Sequence, residues 1–438
     1  MKLIGKYTLA NLFTKVRFCF QSNKFLESIV VLASGTALAQ IITLTVAPII
    51  TRLYTPDAFG QLAIYVSILS VFAFGSLQYD MAIPIVSSQD EAKNLVHLSI
   101  ILVAINCIIF IFIAGILYHT TLDCFFDFTK IGILLWLIPI SIFISGIDPI
   151  LSNWMIRNNK YSVIAQAKVT QNSTTFFAQM GCFHFSLGSI GLVIGQVFGQ
   201  IVGLFAYIRV VYETRCVLSR ISLLEIYNVA VTHKKIPIYM GSASRLSNIF
   251  SQLPTIFLTS YFGIHVVGLF SLAQRMVRLP MTLLGQSIAQ AYLGRLSQSS
   301  TNNKEGIETA FLDTAKKLLM IGSIPIMLLG IYGPYLFGIA FGLNWTESGV
   351  YARALLPMIL AEFVVSPIST TIIVTGNTEF QLVGDFIRTI VVIVTLSVCY
   401  ALNISSYATV QAYSIAMTFL YIFFFFIYLR GIRRMKGR

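Results

Sequence analysis

Apolar residues fall along this chain in twelve long stretches separated by short polar joints, near 27–50, 60–83, 95–118, 131–155, 161–185, 189–212, 236–261, 264–292, 315–341, 349–374, 378–402 and 406–429. About twenty apolar residues in a helix cross the roughly 30 Å hydrocarbon layer of a bilayer. The pattern therefore predicts an all-α integral membrane protein of about twelve transmembrane helices. Stretch 161–185 is the most polar, with Lys168, Gln171, Asn172 and Gln179 inside it. It counts as a span because omitting it would put the basic segment after 212 on the opposite side from the other basic segments.

Composition excludes a soluble protein. Of 438 residues, 56% are hydrophobic and 11% charged, whereas soluble domains carry roughly 25% charged residues. The net charge of +13 suggests nucleic acid until the charges are placed. Lys2, Lys6, Lys15, Arg17, Lys24, Lys93, Arg157, Lys160, Arg215, Arg220, Lys234, Lys235, Arg295, Lys304, Lys316, Lys317 and the tail from Arg430 to Arg438 all fall on one side. Only Arg52 and Lys130 fall on the other. That asymmetry is the positive-inside rule. It predicts cytoplasmic termini, membrane lipids as surroundings and no nucleic-acid partner. Residues 1–26 read equally as an interfacial helix on the anionic leaflet or as a mobile topogenic tail. Six cysteines form no disulfide framework, the five histidines lack metal-ligand spacing, and no GxxxxGK[ST] loop is present. Neither a cofactor nor a metal is expected, and ATP hydrolysis by this chain is not expected either.

The longest joints, 213–235 and 293–314, are on the basic side. The first separates an amino-terminal bundle, 27–212, from a carboxy-terminal bundle, 236–429, with basic segments 1–26 and 430–438 outside them. The bundles look related. Gly35 and Pro48 recur as Gly241 and Pro254, and Phe59-Gly60-Gln61-Leu62 aligns with Val267-Gly268-Leu269-Phe270 after a two-residue slip. Two pseudo-symmetric six-helix bundles of parallel topology would enclose a central cavity. Gly191, Gly195, Gly199 and Gly203 recur every fourth residue, a pattern for close helix packing.

The segment from Thr51 through Arg52, Tyr54, Pro56, Asp57 and Phe59 to Gly60 resembles the first outer loop of Wzx-type oligosaccharide flippases of the multidrug/oligosaccharidyl-lipid/polysaccharide exporter superfamily. Gln78-Tyr79-Asp80-Met81-Ala82-Ile83-Pro84, Asp90-Glu91-Ala92-Lys93-Asn94 and Val267–Ala273 are similar to the same family. Arg52, Asp57, Gly60 and Asp80 are the matching motif positions. The resemblance implies a bacterial inner-membrane flippase that moves oligosaccharide on undecaprenyl pyrophosphate to the periplasmic leaflet, for O-antigen or lipopolysaccharide biosynthesis. It also implies a polymerase and a chain-length regulator as pathway partners.

Ionisable residues inside spans are costly and tend to mark pathways. Lys168, Arg209, Arg245, Arg275, Arg278, Arg353 and Arg388 are the intramembrane cations. Arg209 and Arg353 lie near helix ends, where they can snorkel. Arg275, Arg278, Thr282, Gln286 and Gln290 share one helical face, with Pro280 a candidate kink. Arg245, Asn248 and Gln252 form a second polar stripe; Lys168, Asn172, Thr175 and Gln179 form a third. Guanidinium forks suit pyrophosphate oxygens, so Lys168, Arg245, Asn248, Gln252, Arg275, Arg278 and Gln286 are the expected substrate-binding set. The competing reading pairs these cations with helix-bound acids. Among the acids, Asp80 and Asp148 suit structural roles near helix ends. Asp385 and Arg388 are positioned to neutralise each other at i, i+3. Glu362 lacks a local partner and is the better candidate for proton or sodium coupling. Arg52 and Asp57 are expected to close the turn between the first two helices.

Two other readings remain. A multidrug exporter of the same superfamily would favour acidic cavity residues. A membrane polysaccharide polymerase or glycosyltransferase would favour larger outer loops. The charge asymmetry itself generates a prediction. A cysteine placed at Asn344 should react with an impermeant reagent from outside intact cells, and one at Lys234 should not. Outside labelling at 234 would overturn the orientation.

Overall fold

A computed structural model describes residues 24–72, 75–119, 134–214, 222–299, 304–370 and 379–436; most of the basic segment 1–26 and the outer loop with Cys124 and Lys130 lie outside them. Among the described residues the secondary structure is helical throughout. The amino-terminal half contains α1 (Lys24–Leu53), α2 (Pro56–Phe72), α3 (Gln89–His119), α4 (Leu134–Arg157), α5 (Tyr161–His184) and α6 (Gly188–Glu213). A short helix α7 (Leu223–Thr232) leads to the carboxy-terminal half: α8 (Ser242–Ser299), α9 (Lys304–Phe341), α10 (Thr346–Ile368), α11 (Glu379–Ala401) and α12 (Ser406–Lys436).

Nine of the described helical segments are long and apolar enough to cross a bilayer. One of them, within α8, counts as two spans because Gly263 breaks it with φ 83° and ψ 176°. Only glycine enters that region of backbone space without strain. Helix α5 is long enough to span but polar, and α2 has only 17 residues. Together these make the twelve spans expected from the hydropathy pattern, in a multi-pass membrane protein of two helical bundles. The helix runs on through Pro280, and its non-helical break is at Gly263.

Two expectations about the elements themselves need correction. The stretch 60–83 is not one helix, because α2 ends at Phe72 and a 3₁₀ turn, Tyr79–Ala82, follows Leu77 and Gln78 at positive φ. Asp80 therefore belongs to a buried turn and not to a spanning helix. It accepts hydrogen bonds from Ser76 Oγ at 2.5 Å and Asn153 Nδ2 at 2.9 Å, which tie the turn to α4. Nor is 213–235 a plain linker. Helix α7 buries Ile226 and Val229 against the amino-terminal half, and Asn94 Nδ2 donates to Glu225 at 3.0 Å.

Polar side chains bind helices within each half. Asn172 of α5 donates to the Ala39 carbonyl at 2.9 Å, and Gln179 donates to the Leu192 carbonyl at 3.0 Å. The glycine stripe of α6 serves packing as expected: a Cβ at Gly195, Gly199 or Gly203 would meet Gln179, Thr175 or Gln171 of α5.

The halves touch along α2 and α8, and the repeat explains how. A Cβ at Gly60 would overlap the Ile264 carbonyl, and one at Gly268 would overlap the Pro56 carbonyl. Pro56 and Gly60 precede Ile264 and Gly268 by the same interval, so equivalent backbones cross each other reciprocally. Around this crossing the Trp345 indole donates to the Thr51 carbonyl at 2.8 Å, Arg52 Nη2 donates to the Ile339 carbonyl at 3.1 Å, and His265 Nδ1 meets Asp57 Oδ1 at 3.1 Å. Phe59 packs edge-on against Trp345, 4.9 Å between centroids. Arg52 and Asp57 thus clasp the opposite half and do not close their own turn. The molecule is shut at this end, which the charge pattern assigns to the outside. Cysteines replacing Asp57 and His265 should be joined by a short bifunctional thiol reagent, keeping the halves together after cleavage within 215–221. Separation of the fragments, with each cysteine reactive alone, would contradict a shut mouth.

Candidate functional site

The intramembrane cations divide by what they touch. Arg209 Nε pairs with Glu213 at 2.8 Å, and Arg353 donates to the Ile331 carbonyl. Both lie at helix ends, in the manner of snorkelling side chains. Lys168 is electrostatically coupled to Asp148, which is also hydrogen-bonded to the Tyr207 hydroxyl. It belongs to a network inside the amino-terminal half, and no cavity described below has Lys168 in its wall. Arg388 Nη1 pairs with Asp385 at 3.1 Å and its guanidinium stacks over Tyr421 at 5.5 Å. This is the mutual neutralisation expected from their spacing.

Arg278 and Glu362 correct the sequence reading. Arg278 Nη2 lies 2.9 Å from Glu362 Oε2, an ion pair between α8 and α10 with each side chain about one-third exposed, at 32% and 31%. Glu362 therefore does have a partner, 84 residues away in sequence. The pair lines a cavity of about 190 Å³ with Met281, Thr282, Ile359, Phe363 and Ser366.

Arg275 is different. It makes no hydrogen bond or ion pair among the described residues, and its side chain is exposed. It lines a separate cavity of about 110 Å³ between the halves, with Thr43, Asn172, Thr175, Gln179, Gln196 and Met276 in the wall. The shared face expected for Arg275 and Arg278 is thus split. Residues three apart differ by about 60° around a helix, enough to send Arg275 toward α1, α5 and α6 and Arg278 toward α10. Twelve residues, or roughly 18 Å of helix, separate Arg275 from Gly263, which places it in the middle of the span.

The remaining expected residues fall into place as follows. Gln252 accepts from Ser67 Oγ at 2.9 Å and links α8 to α2, and Asn248 is half-buried on the same arm. The side chains of Arg245 and Gln286 lie outside the described residues, although both positions are within α8.

Sequence reasoning missed a second polar cavity, about 230 Å³, walled by Ser247, Glu362, Ser366, Ser369, Asp385, Arg388, Tyr421 and Tyr428. Tyr413, Tyr421 and Tyr428 stand at i, i+8 and i+15 of α12, one helical face, and that spacing was the available signal.

Fold and site together define the class: a polytopic helical membrane protein of two bundles with charged cavities within and between them. Solved structures of similar fold include the lipid II flippase MurJ in an inward closed conformation, at a TM-score of 0.71 and 15% identity, covering 90% of this chain and 87% of that one. An inward-facing multidrug resistance MATE transporter gives 0.67 at 15% identity over 92% and 96%. An outward-facing MATE structure gives 0.54 at 16% identity over 94% of each chain. Comparison with curated proteins finds no match. The family model described as polysaccharide biosynthesis protein matches residues 49–350, and the chain belongs to that family.

Proposed function

We propose that the protein is a flippase that carries oligosaccharide repeat units on undecaprenyl pyrophosphate from the cytoplasmic to the periplasmic leaflet of the bacterial inner membrane, for surface polysaccharide such as O-antigen. One observation carries this reading: Arg275 is exposed in a cavity between the halves and has no partner among the described residues. An unpaired guanidinium in mid-membrane is costly to keep unless it meets an anion during function. Its fork suits phosphate oxygens bidentately. The cavity, about 110 Å³, is small beside ligand pockets of roughly 300–1,000 Å³. It suits the pyrophosphate, and the saccharide lies outside it.

Membership of a polysaccharide biosynthesis family supports a glycan-linked cargo over an organic cation. The polymerase and chain-length regulator of the same pathway are the expected partners. With no ATP-binding motif in the chain, net transport draws on a proton or sodium gradient, or on consumption of the cargo on the far side. Glu362, Asp385 and Arg388 are the coupling groups of this reading. Glu362 becomes available to an ion only when its pair with Arg278 opens.

Arg275→Ala should lower surface polysaccharide at least tenfold and leave lipid-linked repeat units on the cytoplasmic face, with protein levels unchanged. Arg275→Lys should recover only part, because an ammonium lacks the fork. Wild-type export in the alanine variant would sink the assignment.

A further inference from the structure

Glu362 stands between two cavities. It lines the one that holds Arg278 and also the one that holds Arg388, and Ser366, one turn further along α10, does the same. Each arginine is already engaged, Arg278 by Glu362 and Arg388 by Asp385. Yet each has an Nε that is buried and has no partner among the described residues. Buried donors are normally satisfied, so each guanidinium has room for one more acceptor. Arg388 is also within electrostatic reach of Glu362, and Tyr413 and Tyr421 sense both arginines and Glu362.

We propose that Glu362 is a movable counter-ion shared by Arg278 and Arg388. When the pyrophosphate of the cargo, held first by Arg275, reaches Arg278, Glu362 swings across the wall of α10 to Arg388. The anion then takes over Arg278. No carboxylate is stranded in the membrane, because Glu362 keeps a guanidinium partner in both positions. On release of cargo it returns to Arg278, which pushes the anion off. Arg388 is thereby a positioning residue for cargo binding, although it never touches the cargo. The inference rests on an anionic cargo that binds at Arg275.

The test is binding of farnesyl pyrophosphate, a short polyprenyl pyrophosphate, to the purified full-length protein in detergent. Arg388→Gln removes the receiving partner, so Glu362 should hold Arg278 more firmly and the probe should bind roughly tenfold more weakly, within the range of coupling between neighbouring charges. Arg388→Lys should fall between the two. Adding Glu362→Gln to Arg388→Gln removes the competitor and should restore affinity to within about twofold of Glu362→Gln alone. A purely structural Arg388 would show no such rescue. Should Arg388→Gln fail to fold, Asp385→Asn with Arg388→Gln removes the second pair together and carries the same expectation. Wild-type affinity in Arg388→Gln, or a double variant no tighter than the single, overturns the handover. Arg275→Ala separates the two ideas. If it abolishes binding while Arg388→Gln binds normally, only the handover fails; if it too binds normally, the anion reading fails with it.

Discussion

Charge inside a bilayer is expensive, and the layout of this protein follows from how each such charge is answered. Lys168 is met by Asp148, Arg278 by Glu362, Arg388 by Asp385 and Tyr421, Arg209 by Glu213, and Arg353 by a backbone carbonyl. Removing one member of a buried pair strands the other; Lys168 with Asp148 and Arg278 with Glu362 tie helix to helix within each half, whereas Asp385–Arg388 and Arg209–Glu213 each lie on one helix. Arg275 is the described exception. Among the described intramembrane cations its guanidinium is the open one, and it sits where α8 faces α1, α5 and α6. The same accounting explains the amides of α5. They are occupied by backbone carbonyls of α1 and α6 and so hold the cavity wall in shape.

The second constraint is the crossing of α2 and α8. Two glycines that correspond in the repeat let equivalent backbones approach within contact, and a ring of long-range contacts secures them. The hydrogen-bonded clasp joins the two halves at this end. His265 and Gly268 of the crossing and the cations Arg275 and Arg278 lie on one continuous helical arm of α8 that begins after Gly263.

Much of this was legible in the sequence, and the exceptions share a cause. Hydropathy located the spans, and the two-residue slip at Gly268 identified the repeat that the crossing displays. The Asp385–Arg388 pair was legible because its members are one helical turn apart. The Arg278–Glu362 pair was not, since its partners are joined only by the packing of α8 on α10. Arg52 and Asp57 read as local turn residues because nothing in a sequence points to Ile339 or His265. The break within 60–83 was signalled by Gly75 and the polar residues Ser76, Gln78 and Asp80, which the length of the apolar stretch overrode; Leu77 and Gln78 take positive φ without being glycine. Periodicity placed Arg275 and Arg278 on one face correctly to within about 60°, but the neighbours of that face lie on different halves.

The central claim is that a pyrophosphate anion enters the membrane-embedded cavity at Arg275. A polyprenyl pyrophosphate carrying a photoreactive group beside the phosphates, crosslinked to the protein in membrane vesicles, tests it most directly. The account predicts adducts on α8 between Gly268 and Met281 and on α1 between Ile42 and Ile50, lost when inorganic pyrophosphate or unlabelled lipid competes. Adducts confined to α11 and α12, or adducts on α8 that neither competitor diminishes, would contradict it.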